Sequence, residues 1–487
     1  MTYTINGYEP ERLFHFFEEI SAIPRGSGNE KAVSDYVVAF AWERGLWVHQ
    51  DELYNVIIKK PASPGAEAAP PVMLQGHLDM VCEKLAGVDH DFLTQGLDLV
   101  VEDGVLRANG TTLGGDDGVA VATMLAALDD NDLIHPSLEC VFTTQEETGL
   151  TGAAFLDKSL LKARTMLNLD SAGEEGAVTV SCAGGVRCTL TRPVLRTAQE
   201  DGWLLSLSIT GLLGGHSGRE IHQNRQNADL LMARLVHRLL QGGGKLVSLE
   251  GGTKDNAIPR ESEALLLYAA KEEGEAAAQK ARLLAAQIAE ELRDTEPAFT
   301  CEVSLQAGSA SPLSGEDAWA LVRALRLAPN GVRSYSPRQG GFVVASLNLG
   351  VVKTDDETAT LVFFPRSSVA SLQEDTLDSL SVLAETFGFV LHKSAAYPGW
   401  ALASVSPIRD LCQESWKDIT GRELRVEALH VGLECGLFIG AMPGMDAVSI
   451  GPTLTGCHTP DERLSLESFS RFYRFLADVL ARAAARR

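Results

Sequence analysis

Short apolar runs that end on an imidazole or a carboxylate recur through both ends of this chain, and they constrain its fold more than any other feature. Residues 72–74, 138–143, 165–169 and 447–450 are rich in β-branched or long aliphatic side chains and read as buried strands. Amphipathic helical stretches lie between and around them, at 10–20, 30–44, 119–128, 407–420 and 466–481. Strands alternating with helices at this spacing predict an α/β layer, with a mostly parallel central sheet flanked by helices. A sheet of that kind gathers its functional loops at the carboxyl ends of its strands.

The middle of the chain has a different rhythm. Strands are predicted at 203–210, 245–249, 263–269, 299–305, 343–349 and 358–364, and helices at 224–240, 273–292, 318–327 and 372–387. The order β-α-β-β-α-β occurs twice, which predicts an inserted α+β module of two similar halves. Gly184, Gly185 and the Tyr397-Pro398-Gly399 turn are the expected hinges. The expected organisation is therefore 1–184 as the first part of one domain, 185–397 as the insertion, and 398–487 as the second part.

Charge narrows the function classes. The 487 residues include 65 acidic and 42 basic side chains, for a net charge of −23. A chain this acidic would have to build a phosphate-binding surface against its own field, so neither nucleic acid nor an anionic membrane is expected as a partner. Its longest apolar stretches fall short of the roughly 18 residues needed to cross a bilayer. The first dozen residues carry Glu9 and Glu11 where a signal peptide would be apolar. Eight scattered cysteines without a C-x-x-C pair fit reduced thiols, so a cytoplasmic location is expected.

The chemistry sits where the apolar runs stop. Residues 72–76 run into His77-Leu78-Asp79, 141–145 into Glu146-Glu147, 165–169 into Asp170, and 447–450 through a loop into His458, while Gly114-Gly115 turns into Asp116-Asp117-Gly118. Taken singly, each is explained as a solvated strand end or a helix N-cap. Five of them aimed at one sheet edge form an N/O ligand set suited to zinc, manganese or cobalt. His77 and Asp79 share a face of an extended segment, so Asp79 can accept from the ring nitrogen that does not ligate. Of the adjacent Glu146 and Glu147, one can ligate while the other stays free as a base. Asp116, presented on a glycine turn, is placed to bridge two ions.

Gly76-His77-Leu78-Asp79, Gly115-Asp116-Asp117-Gly118, Glu146-Glu147-Thr148-Gly149, Asn168-Leu169-Asp170 and Cys457-His458-Thr459-Pro460 resemble, in order, the metal-site motifs of the dinuclear-zinc exopeptidases, which include the aminoacylases. Gly214-Gly215-His216-Ser217-Gly218, the 255–260 segment and His430-Val431-Gly432-Leu433-Glu434-Cys435-Gly436 resemble the aminoacyl-histidine (Xaa-His, carnosinase-like) dipeptidases within that family. The resemblance implies one ion on His77, Asp116 and Asp170 and another on Asp116, Glu147 and His458. It implies two Zn2+ per chain, replaceable by Co2+ or Mn2+, with Glu146 as general base and Asp79 as the orienting residue. It further implies that the insertion serves as a lid and as the surface of a homodimer.

Hydrolysis of Xaa-His dipeptides, including carnosine-like β-alanyl-histidine, is the activity so implied. Two divalent ions make water nucleophilic near neutrality and polarise a carbonyl, and Glu146 would carry the proton from water to the leaving amine. His216 matches the family's lid histidine, a donor to the oxyanion. Arg366 and Asn256 are candidates for the substrate carboxylate, with Gly432 also expected to touch substrate. A related N-acyl amino acid deacylase or a tripeptidase, and from another class a non-catalytic metal-binding scaffold, are the competing readings. Gly215-His216-Ser217-Gly218-Arg219 misses the last glycine of a serine-hydrolase elbow. His430 and Glu434 stand at i, i+4 spacing without the H-E-x-x-H pattern of a zinc helix.

Overall fold

The computed structural model describes residues 3–338 and 341–486, and the chain divides into two compact units. One holds the residues up to Cys182, Trp400–Ala428 and Leu433 onward; the other holds Ala183–Gly399 and Leu429–Gly432. The segment Leu429–Gly432, expected in the resumed first part, lies in the second unit. There Ala183 N donates to Val431 O at 2.9 Å and the His430 ring meets Ser346 Oγ at 2.7 Å.

In the first unit, Val72–His77 is buried at every position and runs parallel to Leu138–Thr143 on one side and Thr165–Asn168 on the other. Asp446–Ser449 continues the parallel set beside Thr165–Asn168. This is the α/β sheet the sequence predicts, extended by strands the apolar pattern does not disclose. Trp47–Gln50 and Val56–Lys60 add antiparallel on one flank, Ala177–Cys182 adds antiparallel on the other, and Arg425–Leu429 lies beyond it, giving eight strands among the described residues. Trp47–Gln50 and Arg425–Leu429 end the sheet and are half-exposed, so they carry no continuous apolar run.

Helices cover the sheet for local reasons. Leu466–Ala484 starts where the Ser465 hydroxyl accepts from Ser468 N, and it buries Phe469, Phe472, Phe475, Leu476 and Val479 on one face. Burial of each such side chain contributes about 1.5–3 kcal/mol. Gly115–Asp129 is buried from Gly118 to Leu128, and small alanines let it lie close to Val72–His77 and the helix Glu11–Ser21. Among the described residues no helix is long and apolar enough to cross a membrane.

The second unit is built on an antiparallel sheet of nine strands among the described residues. One quartet lies in the order Thr300–Ala310, Glu200–Thr210, Ser262–Tyr268, Lys245–Gly251; the other in the order Phe342–Thr354, Thr358–Ser367, Gly184–Pro193, Val390–Tyr397; Gly331–Ser336 pairs with Phe342–Thr354. Each quartet runs β-α-β-β-α-β along the chain, and the two meet where Gly251 pairs with Val352. They are nested, not consecutive: the first strand of one, Gly184–Pro193, precedes the whole of the other. Gly184 and Gly185, read in the sequence as a hinge, open that strand and pair with Ser367 and Arg366. A Cβ on Gly184 would stand 2.5 Å from Gly399 N and 2.6 Å from Tyr397 O, so this close approach requires glycine.

Candidate active site

Parallel register brings the sequence motifs of the first unit together. His77 ends its strand opposite Thr143, and Gln75 lies opposite Asn168, which lies opposite Ser449. Glu146 and Asp170 therefore follow their strands at the same edge as His77. His77 Nε2 lies 3.0 Å from Asp116 Oδ1, and His458 Nε2 lies 3.2 Å from Asp116 Oδ2 and 3.0 Å from Glu147 Oε1. Asp116 thus presents one oxygen to each imidazole. His77 Nδ1 faces Asp79 Oδ1 at 3.3 Å and the Asp79 carbonyl at 3.1 Å. The same Asp79 carboxylate accepts from Ser27 Oγ at 2.7 Å and from the backbone N–H groups of Glu146 and Glu147 at 3.1 and 3.3 Å. It therefore orients an imidazole and also fixes the turn that carries both glutamates.

Four further groups shape this edge, and none of them was a candidate from the sequence. Glu462 accepts from the backbone N–H of Leu113, Gly114 and Asp116 at 2.8, 3.0 and 3.2 Å, which holds the glycine turn presenting Asp116. Arg25, fully buried, donates to the carbonyls of Leu78, Asp79 and Gly114. Asp117 accepts from His77 N at 3.1 Å. Glu434 accepts from Gln75 Nε2 at 2.5 Å and Thr143 Oγ1 at 2.6 Å, and Gln75 in turn accepts from Asn168 at 2.6 Å. This chain braces three neighbouring strands just before the residues that carry the chemistry. Arg25 and Glu462 are isolated charges without any motif; Glu434 sits in a motif that was noted only for its spacing from His430. That spacing is not helical, because the helix begins at Cys435.

Two triads of donor atoms stand close enough to hold an ion each, His77–Asp116–Asp170 and Asp116–Glu147–His458; a further grouping is His77–Glu146–Glu147. Glu147 Oε1 is buried and makes no hydrogen bond despite its short approach to His458. Donors turned toward a common third partner, not toward each other, have this geometry, and the carboxylate and imidazole set suits a divalent cation. The electrostatics agree. Burial pushes the Asp170 carboxyl up, reinforced by the charge of Asp116, and burial pushes Glu146 well up, with Asp170 and Glu434 adding to it against His77. The neighbouring carboxylates of Asp116 and Glu147 raise His458 to about 10. Burial opposes the charge on His77, but its bonds to Asp116 and Asp79 outweigh it and hold the ring protonated. Without cations, protons hold this cluster together.

His216, Asn256, Arg366 and Gly432 belong to the second unit and gather there. His216 pairs with Ala257 across a short two-strand ribbon, beside Asn256, whose carbonyl accepts from Ser217 N at 2.8 Å. The His216 Nδ1 accepts from Gly218 N and Arg219 N at 3.0 and 3.1 Å, which leaves the ring proton on Nε2. Burial, then the Arg366 charge, lowers its pKa to about 4, so the ring is neutral. Arg366 is 4% exposed; its Nη1 donates to Tyr397 Oη at 3.0 Å, its Nε has no partner, and among the described residues no carboxylate pairs with it. A surface salt bridge, the plain explanation of this arginine, is absent. Gly432 lies so close to the Tyr397 ring that a Cβ would stand 2.8 Å from it. Ser217 Oγ is buried without a hydrogen-bond partner, so no nucleophile–base pair forms in that loop.

Comparison with known proteins places this site in a family. A model of the peptidase family M20/M25/M40 matches residues 73–482. The chain is 35% identical to the cytosol non-specific dipeptidase of Escherichia coli strain K12 over 473 residues, 97% of each protein. Its structure matches that of the aminoacylhistidine dipeptidase from Vibrio alginolyticus with a TM-score of 0.90 at 35% identity, covering 97% of this chain and 96% of that one. An aminopeptidase from Bacillus cereus shares the fold at a TM-score of 0.57 and 15% identity, over 98% of this chain and 99% of that one. With most of its length matched by the family model, the chain belongs to the peptidase family M20/M25/M40 and is a metal-dependent hydrolase of that family.

Proposed function

We propose that the protein is a dinuclear zinc dipeptidase that cleaves Xaa-His dipeptides, carnosine-like β-alanyl-histidine among them. The observation that carries this reading is the pair of triads sharing Asp116, with the free carboxylate of Glu146 beside them. His77, Asp116 and Asp170 would hold one ion and Asp116, Glu147 and His458 the other. When bound, the ions supply the positive charge that polarises the scissile carbonyl and makes water nucleophilic near neutral pH. Glu146 accepts a proton from the attacking water as the C–O bond forms, and returns it to the leaving nitrogen as the C–N bond breaks. Asp79 keeps His77 in one orientation.

His216, neutral and protonated on Nε2, is suited to donate to the oxyanion. Arg366, with Asn256 and Gly432, is suited to the substrate's carboxylate, because its guanidinium is buried without an acidic partner among the described residues. A cytoplasmic setting is supported by the relative named for the cytosol. Assembly as a homodimer through the second unit follows from the resemblance, and light scattering giving twice the chain mass tests it. The activity is tested by hydrolysis of a His-ending dipeptide series before and after chelation and zinc restoration. Turnover that survives chelation overturns the proposal.

A further inference from the structure

Arg366, Gly185 and Tyr397 stand directly opposite one another on three neighbouring strands of the second unit. Residues opposite each other in antiparallel strands share a face, and the outer two are separated by two strand spacings, about 10 Å. The glycine between them leaves that gap open, and across it Arg366 Nη1 donates to Tyr397 Oη at 3.0 Å. A Cβ on Gly185 would stand 2.7 Å from Tyr397 Oη and 2.7 Å from Phe364 Cε1, so any side chain there would push the contact apart. The Phe364 ring packs against the guanidinium, 4.6 Å from its carbon. Tyr397 reaches this place through an irregular backbone. Between Ser394, opposite Arg187, and Tyr397, opposite Gly185, three steps on one strand match two on the other, and Ala395 takes a left-handed φ of 48°. A bulge of this kind re-aims the side chain that follows it, and a non-glycine residue in that conformation persists only where its surroundings over-determine it. His392 to Ala396 are exposed, whereas Tyr397 is half-buried.

We infer that Tyr397 is a positioning residue for the substrate's C-terminal carboxylate: it fixes the Arg366 guanidinium in one orientation and seats the Gly432 backbone against its own ring. This rests on the reading of Arg366 as the partner of that carboxylate. The bond to Tyr397 is the only hydrogen bond from the Arg366 side chain among the described residues, and Arg366 Nε, buried, has no partner. Burial, and then the Arg366 charge, lowers His216 to about 4 and His430 to about 3, so both of these imidazoles are neutral beside the cation. A guanidinium binds a carboxylate through two parallel N–H groups, and a fork already held in its bound orientation loses less freedom on binding. Without the Tyr397 hydroxyl the fork is loosened, and ligands with a free carboxylate lose most.

The test is steady-state kinetics of the zinc-loaded enzyme on Leu-His, with the C-terminal amide of Leu-His as competitor, so that KM for the acid is read against Ki for the amide. In Tyr397→Phe, which keeps the ring against Gly432, KM for Leu-His should rise about tenfold with a smaller change in kcat, the scale of one hydrogen bond to a charged group. Ki for the amide, which offers no carboxylate, should rise less. Gly185→Ala, which keeps the hydroxyl but displaces it, should shift the two constants in the same sense. In an Arg366→Ala background Tyr397→Phe should add little, because the two side chains act as a unit. An unchanged KM in Tyr397→Phe, an equal loss for acid and amide, or full additivity with Arg366→Ala overturns the positioning role and leaves the dipeptidase reading standing. If Arg366→Ala itself weakens acid and amide equally, the carboxylate reading of Arg366 falls and the inference with it. Absence of turnover on Leu-His in the wild-type protein overturns the dipeptidase reading as well.

Discussion

Glu146 and Glu147 are neighbours in sequence, yet only Glu147 stands in the triad with His458, and Glu146 remains a half-buried carboxylate with its proton affinity raised. Glu146→Gln should therefore leave bound metal unchanged by elemental analysis while lowering kcat by about 10²–10⁴, the usual contribution of a general base. Near wild-type turnover would remove Glu146 from the role. His216→Ala should lower kcat more than it raises KM, because a donor to the oxyanion acts mainly in the transition state; a change confined to KM would mark uniform binding instead. At this scale the sequence was legible wherever residue type and neighbours coincided, as in His77-Leu78-Asp79. It was silent on Arg25 and Glu462, whose importance lies wholly in backbone groups that other parts of the chain bring to them.

The glycine turn before Asp116 shows how an element depends on distant support. Three of its N–H groups end on the carboxylate of Glu462, more than 300 residues away. Glu462→Ala leaves them without that acceptor, at about 1–3 kcal/mol for each group that stays buried and unsatisfied. Denaturant unfolding should show the loss, and metal titration should show weaker binding through the displaced Asp116. Glu462→Gln, which keeps acceptor oxygen, should recover part of both; full metal affinity in the alanine variant would argue against this support. The buried strands of the first unit could be read because both faces are covered and their apolar runs are unbroken. Trp47–Gln50 and Gly184–Pro193 could not, since the first is half-exposed and the second opens on two glycines chosen for close backbone approach.

For the molecule as a whole, the −23 charge becomes a statement about protons and cations competing for one site. His458 titrates at about 10 in the metal-free fold against an ordinary 6.5, so the stabilisation from its ion pairs is present below pH 6.5 and lost as pH rises through about 10. Asp170, raised by burial and by Asp116, likewise keeps its proton further up the pH scale than usual. A divalent cation must displace both protons, so its affinity should increase with pH. Thermal unfolding with and without zinc, measured from pH 6 to pH 9, should show a Tm difference that widens as pH rises; a constant gap would contradict the linkage. The sequence by itself determined the α/β class and the metal-site motifs, because apolar periodicity and residue order are local and survive in one dimension. Only the tertiary structure decided which oxygen of Asp116 faces which imidazole, how Glu462, Arg25 and Glu434 brace the edge, and how one half of the second unit nests inside the other. Those contacts join segments far apart in the chain, and they exist only once parallel register and packing have brought the strand ends together.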